Sequence, residues 1–151
     1  MTATAITFAL VVKAAHVIAA FAAFGLPFAY PAVIPYLRRH HPQTLPGVHD
    51  MQHRFSVWLT GPGTVLLLAA GVYLATKEHQ WDQPYVQVGL TAVLVIALAG
   101  GLIVRDTARL SELATAGFGP AYERVYRRYL LTETALGALV LVAIATMVLK
   151  P

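Results

Sequence analysis

The chain has 151 residues, of which 58% are apolar and only 12% charged, and its mean hydropathy is +0.64; that balance excludes an ordinary soluble domain and indicates a membrane protein. The net charge of +4 comes from basic residues gathered at two connections between apolar stretches, a topology signal that argues against nucleic acid as a partner. The absence of cysteine excludes disulfides, thiolate metal ligands and a cysteine nucleophile.

Four apolar stretches, roughly residues 6–37, 54–75, 85–104 and 129–149, each meet the requirement of about 20 residues for a helical span. The expected fold is therefore all-α, a bundle of four transmembrane helices forming one domain over residues 1–151. Arg38, Arg39 and Arg54 flank the first connection, and Arg105, Arg109, Arg124, Arg127 and Arg128 flank the third, while Lys77 and Lys150 lie on the other side. The positive-inside rule then predicts Arg-rich loops in the cytoplasm and both termini exterior, in a bacterial-type plasma (inner) membrane. No basic residue precedes the first apolar run, so that run is expected to persist as a helix and not to be a cleaved signal.

The first stretch, at about 1.5 Å per residue, would be about 50 Å long against a hydrocarbon core of about 30 Å. Pro27, Pro31 and Pro35 fall near its end and each lacks an amide donor, which predicts a bend near Gly25–Pro27. Beyond it the chain should tilt along the interface, with Tyr30 and Tyr36 as aromatic anchors. Deep inside this stretch stand Lys13 and His16, three residues apart on one helix face. A charged side chain there costs roughly 2.5 to 3.5 kcal/mol on insertion scales, so it needs a partner. One reading has His16 holding a haem iron with Lys13 meeting a propionate; in the other, His16 makes an interhelical hydrogen bond and Lys13 snorkels to the headgroups. His53 falls at the far rim, about 15 Å away along the normal by helical rise, and cannot clamp the same iron. Met147 and His79 lie on the side of Lys13 but not at the depth of His16, so a five-coordinate iron is as consistent as a bis-ligated one.

The first connection carries His40, His41 and His49 and reads as a solvated basic loop, although a His cluster can also handle copper. Gly61–Pro62–Gly63 in the second helix leaves a carbonyl without its donor and admits either another backbone or a planar ligand. Gly100–Gly101 in the third predicts tight contact with a neighbouring helix. In the third connection, Asp106 with Arg109 and Glu123 with Arg127 have the spacing of exposed helical ion pairs. Glu133, about one turn inside the membrane, must be protonated or paired. Arg54, His53 and Arg105 are on the right side to partner it, as a proton relay or as a structural pair.

Several of these residues sit in recognisable motifs. Val12–Lys13–Ala14–Ala15–His16–Val17–Ile18 resembles the opening of the HemJ-type protoporphyrinogen oxidases. Met51, Arg54, Pro62, Gly63 and Gly71 are similar to that family's second helix, Val104–Arg105–Asp106 to its third-helix exit, and Arg128–Tyr129–Leu130–Leu131–Thr132–Glu133 with Val148–Leu149–Lys150–Pro151 to its last helix. The resemblance implies a small helical membrane oxidoreductase that binds haem b, with His16 as the key residue and a porphyrinogen or quinol-type substrate. The chain departs where the family has a Lys early in helix three, here Gly89 or a neighbour, and an Asn before the last-helix Glu, here Thr132. These departures point to an allied four-helix integral-membrane family with the same first helix and Lys-Pro ending. The site residues expected are thus His16 as metal ligand, Lys13 beside the cofactor and Glu133 as catalytic acid. A non-catalytic subunit of a larger membrane complex, or a homo-oligomer in the lipid bilayer, is the alternative from a different class.

Overall fold

Each long apolar run becomes a helix, and proline or glycine marks most of the ends. The computed structural model describes residues 3–149; Lys150 and Pro151, which figure in the charge asymmetry and the closing motif, lie outside them. Helix α1 (Ala3–Phe24) leads through a single 3-10 turn (Pro27–Ala29) into α2 (Tyr30–His40). After a second such turn (Pro42–Thr44), α3 (Leu45–Phe55), a π-helical segment (Ser56–Thr60) and α4 (Gly61–Lys77) run on from one another. Helices α5 (Pro84–Ala116) and α6 (Pro120–Leu149) complete the chain. Four stretches, Phe8–His40, Pro42–Lys77, Pro84–Ala116 and Pro120–Leu149, are long and apolar enough to cross a membrane. The protein is all-helical with four membrane spans.

The bend falls at Gly25–Leu26, just before the turn opened by Pro27. Pro84 and Pro120 stand at the starts of α5 and α6, where a missing amide hydrogen costs nothing. Gly117 ends α5 with φ at 110°, a conformation that a side chain would oppose.

The two Arg-rich connections are not solvated loops. Helix α5 continues past residue 104 to Ala116, and α6 begins at Pro120, so the third connection is only residues 117–119. The best-packed core of the protein lies there, built from Tyr30 and Ile34 of α2, Leu45 of α3, Leu110 and Ala114 of α5, and Tyr122, Tyr126 and Tyr129 of α6. Spacings of four and three put the α6 tyrosines on one face; charges on the other face dilute the hydropathy without interrupting the stripe. Tyr30 is consequently buried, not an interfacial anchor, whereas Tyr36 is exposed and lies against His40. Tyr122 and Tyr126 stack 5.8 Å apart, and the Arg38 guanidinium sits 4.6 Å from the centre of the Tyr126 ring, a cation–π arrangement.

The ion pairs also differ from the local ones expected. Asp106, 3% exposed, takes a two-pronged contact from Arg128 of α6, and Glu123 pairs with Arg38 of α2. Helical neighbours are merely close in sequence; the packing of α5 on α6 and α2 on α6 offers shorter and more buried partners.

In the bundle interior, α1 packs on α4 through Gly63, where an added Cβ would lie 3.2 Å from the Ala23 nitrogen and 3.4 Å from the Ala19 oxygen. Close helix packing is therefore what this glycine serves. Pro62 follows the π segment: the Gly61 amide bonds the Ser56 carbonyl, five residues back, so the missing proline donor coincides with a change of helical register. Gly100 and Gly101 correct the expectation of tight contact, because a Cβ at either meets nothing within 4 Å.

Candidate functional site

His16 projects from α1 towards α4, where Gly71 makes room for it. A Cβ at Gly71 would come 3.3 Å from His16 Cε1 and 3.7 Å from Nδ1. Nδ1 is buried and has no hydrogen-bond partner; the Leu67 carbonyl, one turn earlier in α4, is the backbone acceptor within reach of the ring. An imidazole is bipartite: one nitrogen donates while the other offers a lone pair, and the donor contact decides which. His16 thus has a lone pair to offer.

Two cavities meet at this ring. One, of about 330 Å³, is lined by His16, Phe21, Phe24, Ile96, Val140 and Met147 among others; the second, of about 250 Å³, adds Lys13, Glu78, Trp81 and Gly89. Met147 borders both, against the expectation that it lies at another depth, because Gly89 leaves its ε-methyl a place on α5 that any side chain would fill. Lys13, half-exposed, is held by Glu78 at 2.6 Å. Sequence reasoning missed Glu78 because it closes α4 and becomes a neighbour of Lys13 only when α1 packs on α4.

Glu133 lies apart from this pair. It is 6% exposed and lines a third cavity, of about 850 Å³, between α1, α4, α5 and α6. This cavity shares Phe24, Phe28, Ile96 and Val140 with the one at His16. None of the cations expected to partner Glu133 does so: Arg54 pairs with Asp50 at 2.9 Å, His53 donates to the Val104 carbonyl at 3.1 Å, and Arg105 is 4.0 Å from Asp106. The carboxyl instead meets the Tyr129 hydroxyl, one turn back on α6.

That hydroxyl ends a buried polar chain. Tyr122 meets His49 Nε2 at 3.0 Å, His49 Nδ1 meets Gln52 Oε1 at 2.7 Å, and Gln52 Nε2 donates to Tyr129 at 2.7 Å. With the His49 proton on Nδ1, every donor in the chain points towards Glu133. His49 is fully buried, which separates it from exposed His40 and His41 and removes it from the His cluster on which copper handling rested. Among the described residues no group of three or more His, Asp or Glu is placed to hold a metal ion. The spacing His49–Gln52 and Tyr122–Tyr126–Tyr129–Glu133 was the available signal for this chain, a polar-aromatic stripe continuing into the span.

A family model described as "Predicted integral membrane protein (DUF2269)" matches residues 10–151. No curated protein and no solved structure matches the chain.

Proposed function

The chain belongs to this family of predicted integral membrane proteins, and from that premise we infer that its four-span bundle binds one haem b with His16 as ligand to the iron. The observation that carries the reading is the buried, unpartnered His16 nitrogen between two cavities. A buried polar atom left alone is costly, and metal ligation is one way to satisfy it. Gly71 and Gly89 support the fit, since each lets a ligand-bearing side chain, His16 at one and Met147 at the other, lie against helix backbone where a Cβ would press on it.

The residues around the ring have separable tasks. The Leu67 carbonyl, within reach of the ring, would orient the imidazole by accepting from one nitrogen and leave the other for iron. Met147 borders the same two cavities and would present its thioether to the bound group. Lys13, paired with Glu78 here, is the cation that would hold the cofactor's acidic edge near the membrane surface. Haem bound there supplies one-electron redox chemistry, and Glu133 is the buried acid that handles a proton. Together with the motif resemblance, this supports an oxidoreductase acting on a porphyrinogen or a quinol-type substrate. The Arg-rich end, by the positive-inside rule, faces the cytoplasm of a bacterial-type plasma membrane, with His16 towards the exterior.

The test is an absorption spectrum of the detergent-purified protein with its haem content. One haem per chain, lost in His16→Ala, and an altered spectrum in Met147→Leu at unchanged haem content are the expected results. A colourless wild-type protein overturns the reading and favours a non-catalytic subunit, for which the outward apolar face of α1 at Val17, Ile18 and Phe21, with Phe21 79% exposed, is the surface a neighbouring span would cover.

A further inference from the structure

The cavity at Glu133 has walls that helix packing does not explain. Gly100 and Gly101 of α5 and Gly137 of α6 line it, and a Cβ at any of the three would meet nothing within 4 Å. Glycine weakens a helix interior relative to alanine. At Gly63 the close approach of α1 compensates; at these three nothing does, so strips of backbone are left bare on the cavity side. Bare helix backbone suits the face of a flat ring. The volume of about 850 Å³ is in the range of small-molecule sites, and an apolar lining with a few placed polar groups is their usual composition.

Of the polar groups in the lining, Ser56 and Thr64 donate their hydroxyls to backbone carbonyls of their own helix, whereas Glu133 is a carboxyl with capacity to spare. A carboxylate offers about four acceptor positions, and the protein supplies Glu133 with the Tyr129 hydroxyl. The Tyr30 hydroxyl, on a side chain that is also buried beside Glu133, has no hydrogen-bond partner. The chain from Tyr122 through His49 and Gln52 ends on the Tyr129 hydroxyl beside Glu133, and a carboxyl keeps acceptor positions whether ionised or protonated. A ligand that completes this site is apolar, flat and lipid-soluble, and carries an O–H to donate.

We propose that the central cavity binds a lipid-soluble quinol, its ring against the bare backbone of α5 and α6 and one hydroxyl donating to Glu133. This selects one of the two substrate classes in the reading above and rests on it only for the membrane setting, since none of its contacts requires iron at His16.

The experiment uses the full chain purified in detergent, with decylubiquinol kept reduced under argon and its binding followed by calorimetry. Saturable binding at one per chain is expected. Gly101→Leu, which adds bulk to open space and should leave the fold intact by circular dichroism and gel filtration, weakens it at least tenfold, and haem content stays unchanged. Glu133→Leu also weakens it at least tenfold. Uptake that does not saturate, or that is equal in both variants and the wild type, means partitioning of an acyl-like chain only and overturns the proposal. So does loss of haem from Gly101→Leu, which would put the tetrapyrrole in this cavity, or displacement of the quinol by dodecylammonium, which would make Glu133 a cation site. A colourless protein that binds the quinol removes haem ligation and leaves this site standing; a haem protein that does not bind it does the reverse.

Discussion

The Asp106 carboxylate is almost wholly buried, while Arg128, which grips it with two nitrogens, is 47% exposed. Removing the two partners has unequal effects. Arg128→Ala strands a buried charge and should cost about 3 kcal/mol, the lower end for a broken buried pair because the arginine is half in solvent. The paired change Arg128→Ala with Asp106→Ala should recover much of that loss, which thermal unfolding in detergent, followed by circular dichroism, can measure. Equal destabilisation by the single and double changes would refute the asymmetry. That Lys13, His16 and Glu133 are special was legible from the sequence, because an ionisable group in an apolar run is conspicuous. Their partners were not. Glu78 and Met147 belong to other helices, and no local spacing says which helix faces which; Tyr129 alone, four residues before Glu133 on α6, was within reach of a spacing argument.

Helix boundaries show a similar division between elements. Runs of apolar residues and the Pro27 bend identified the spans, since the requirement to satisfy every backbone group in lipid leaves helix as the only long segment of this kind. The ends of α5 and α6 escaped because amphipathic turns carry a low average hydropathy. Their inward face of Leu110, Ala114, Tyr122, Tyr126 and Tyr129 becomes apparent only at a period of 3.6. Contact between α1 and α4 depends on one missing side chain. Gly63→Val would press on the Ala23 nitrogen and the Ala19 oxygen, both backbone and therefore unable to give way. A loss of about 1–3 kcal/mol, the range for overpacking, should appear as a lower thermal midpoint in detergent. At Gly137, where there is open space, the same change should have no such effect. Similar midpoints for the two variants would mean that α1 and α4 are not held through this contact.

For the whole molecule, the Arg-rich end is a folded helical cap, and the opposite end carries Lys13, Glu78 and the His16 cavities. The natural absence of cysteine makes the orientation easy to test with single introduced thiols. His41→Cys at the Arg-rich end should be shielded from a membrane-impermeant maleimide in intact cells, and Asp82→Cys at the other end should be labelled. The reverse pattern would invert the topology and place His16 nearer the cytoplasm. Composition and periodicity by themselves determined the membrane class, the number of spans and the bend, because these follow from transfer free energies summed over one segment at a time. Only the tertiary structure decided that Met147 reaches the His16 cavities, that His49 leaves the loop histidines for a buried chain ending at Glu133, and that some glycines pack while others leave space. Each of those outcomes depends on which helix faces meet, a many-body choice made by packing and by the satisfaction of buried polar groups, to which no single stretch of sequence is sensitive.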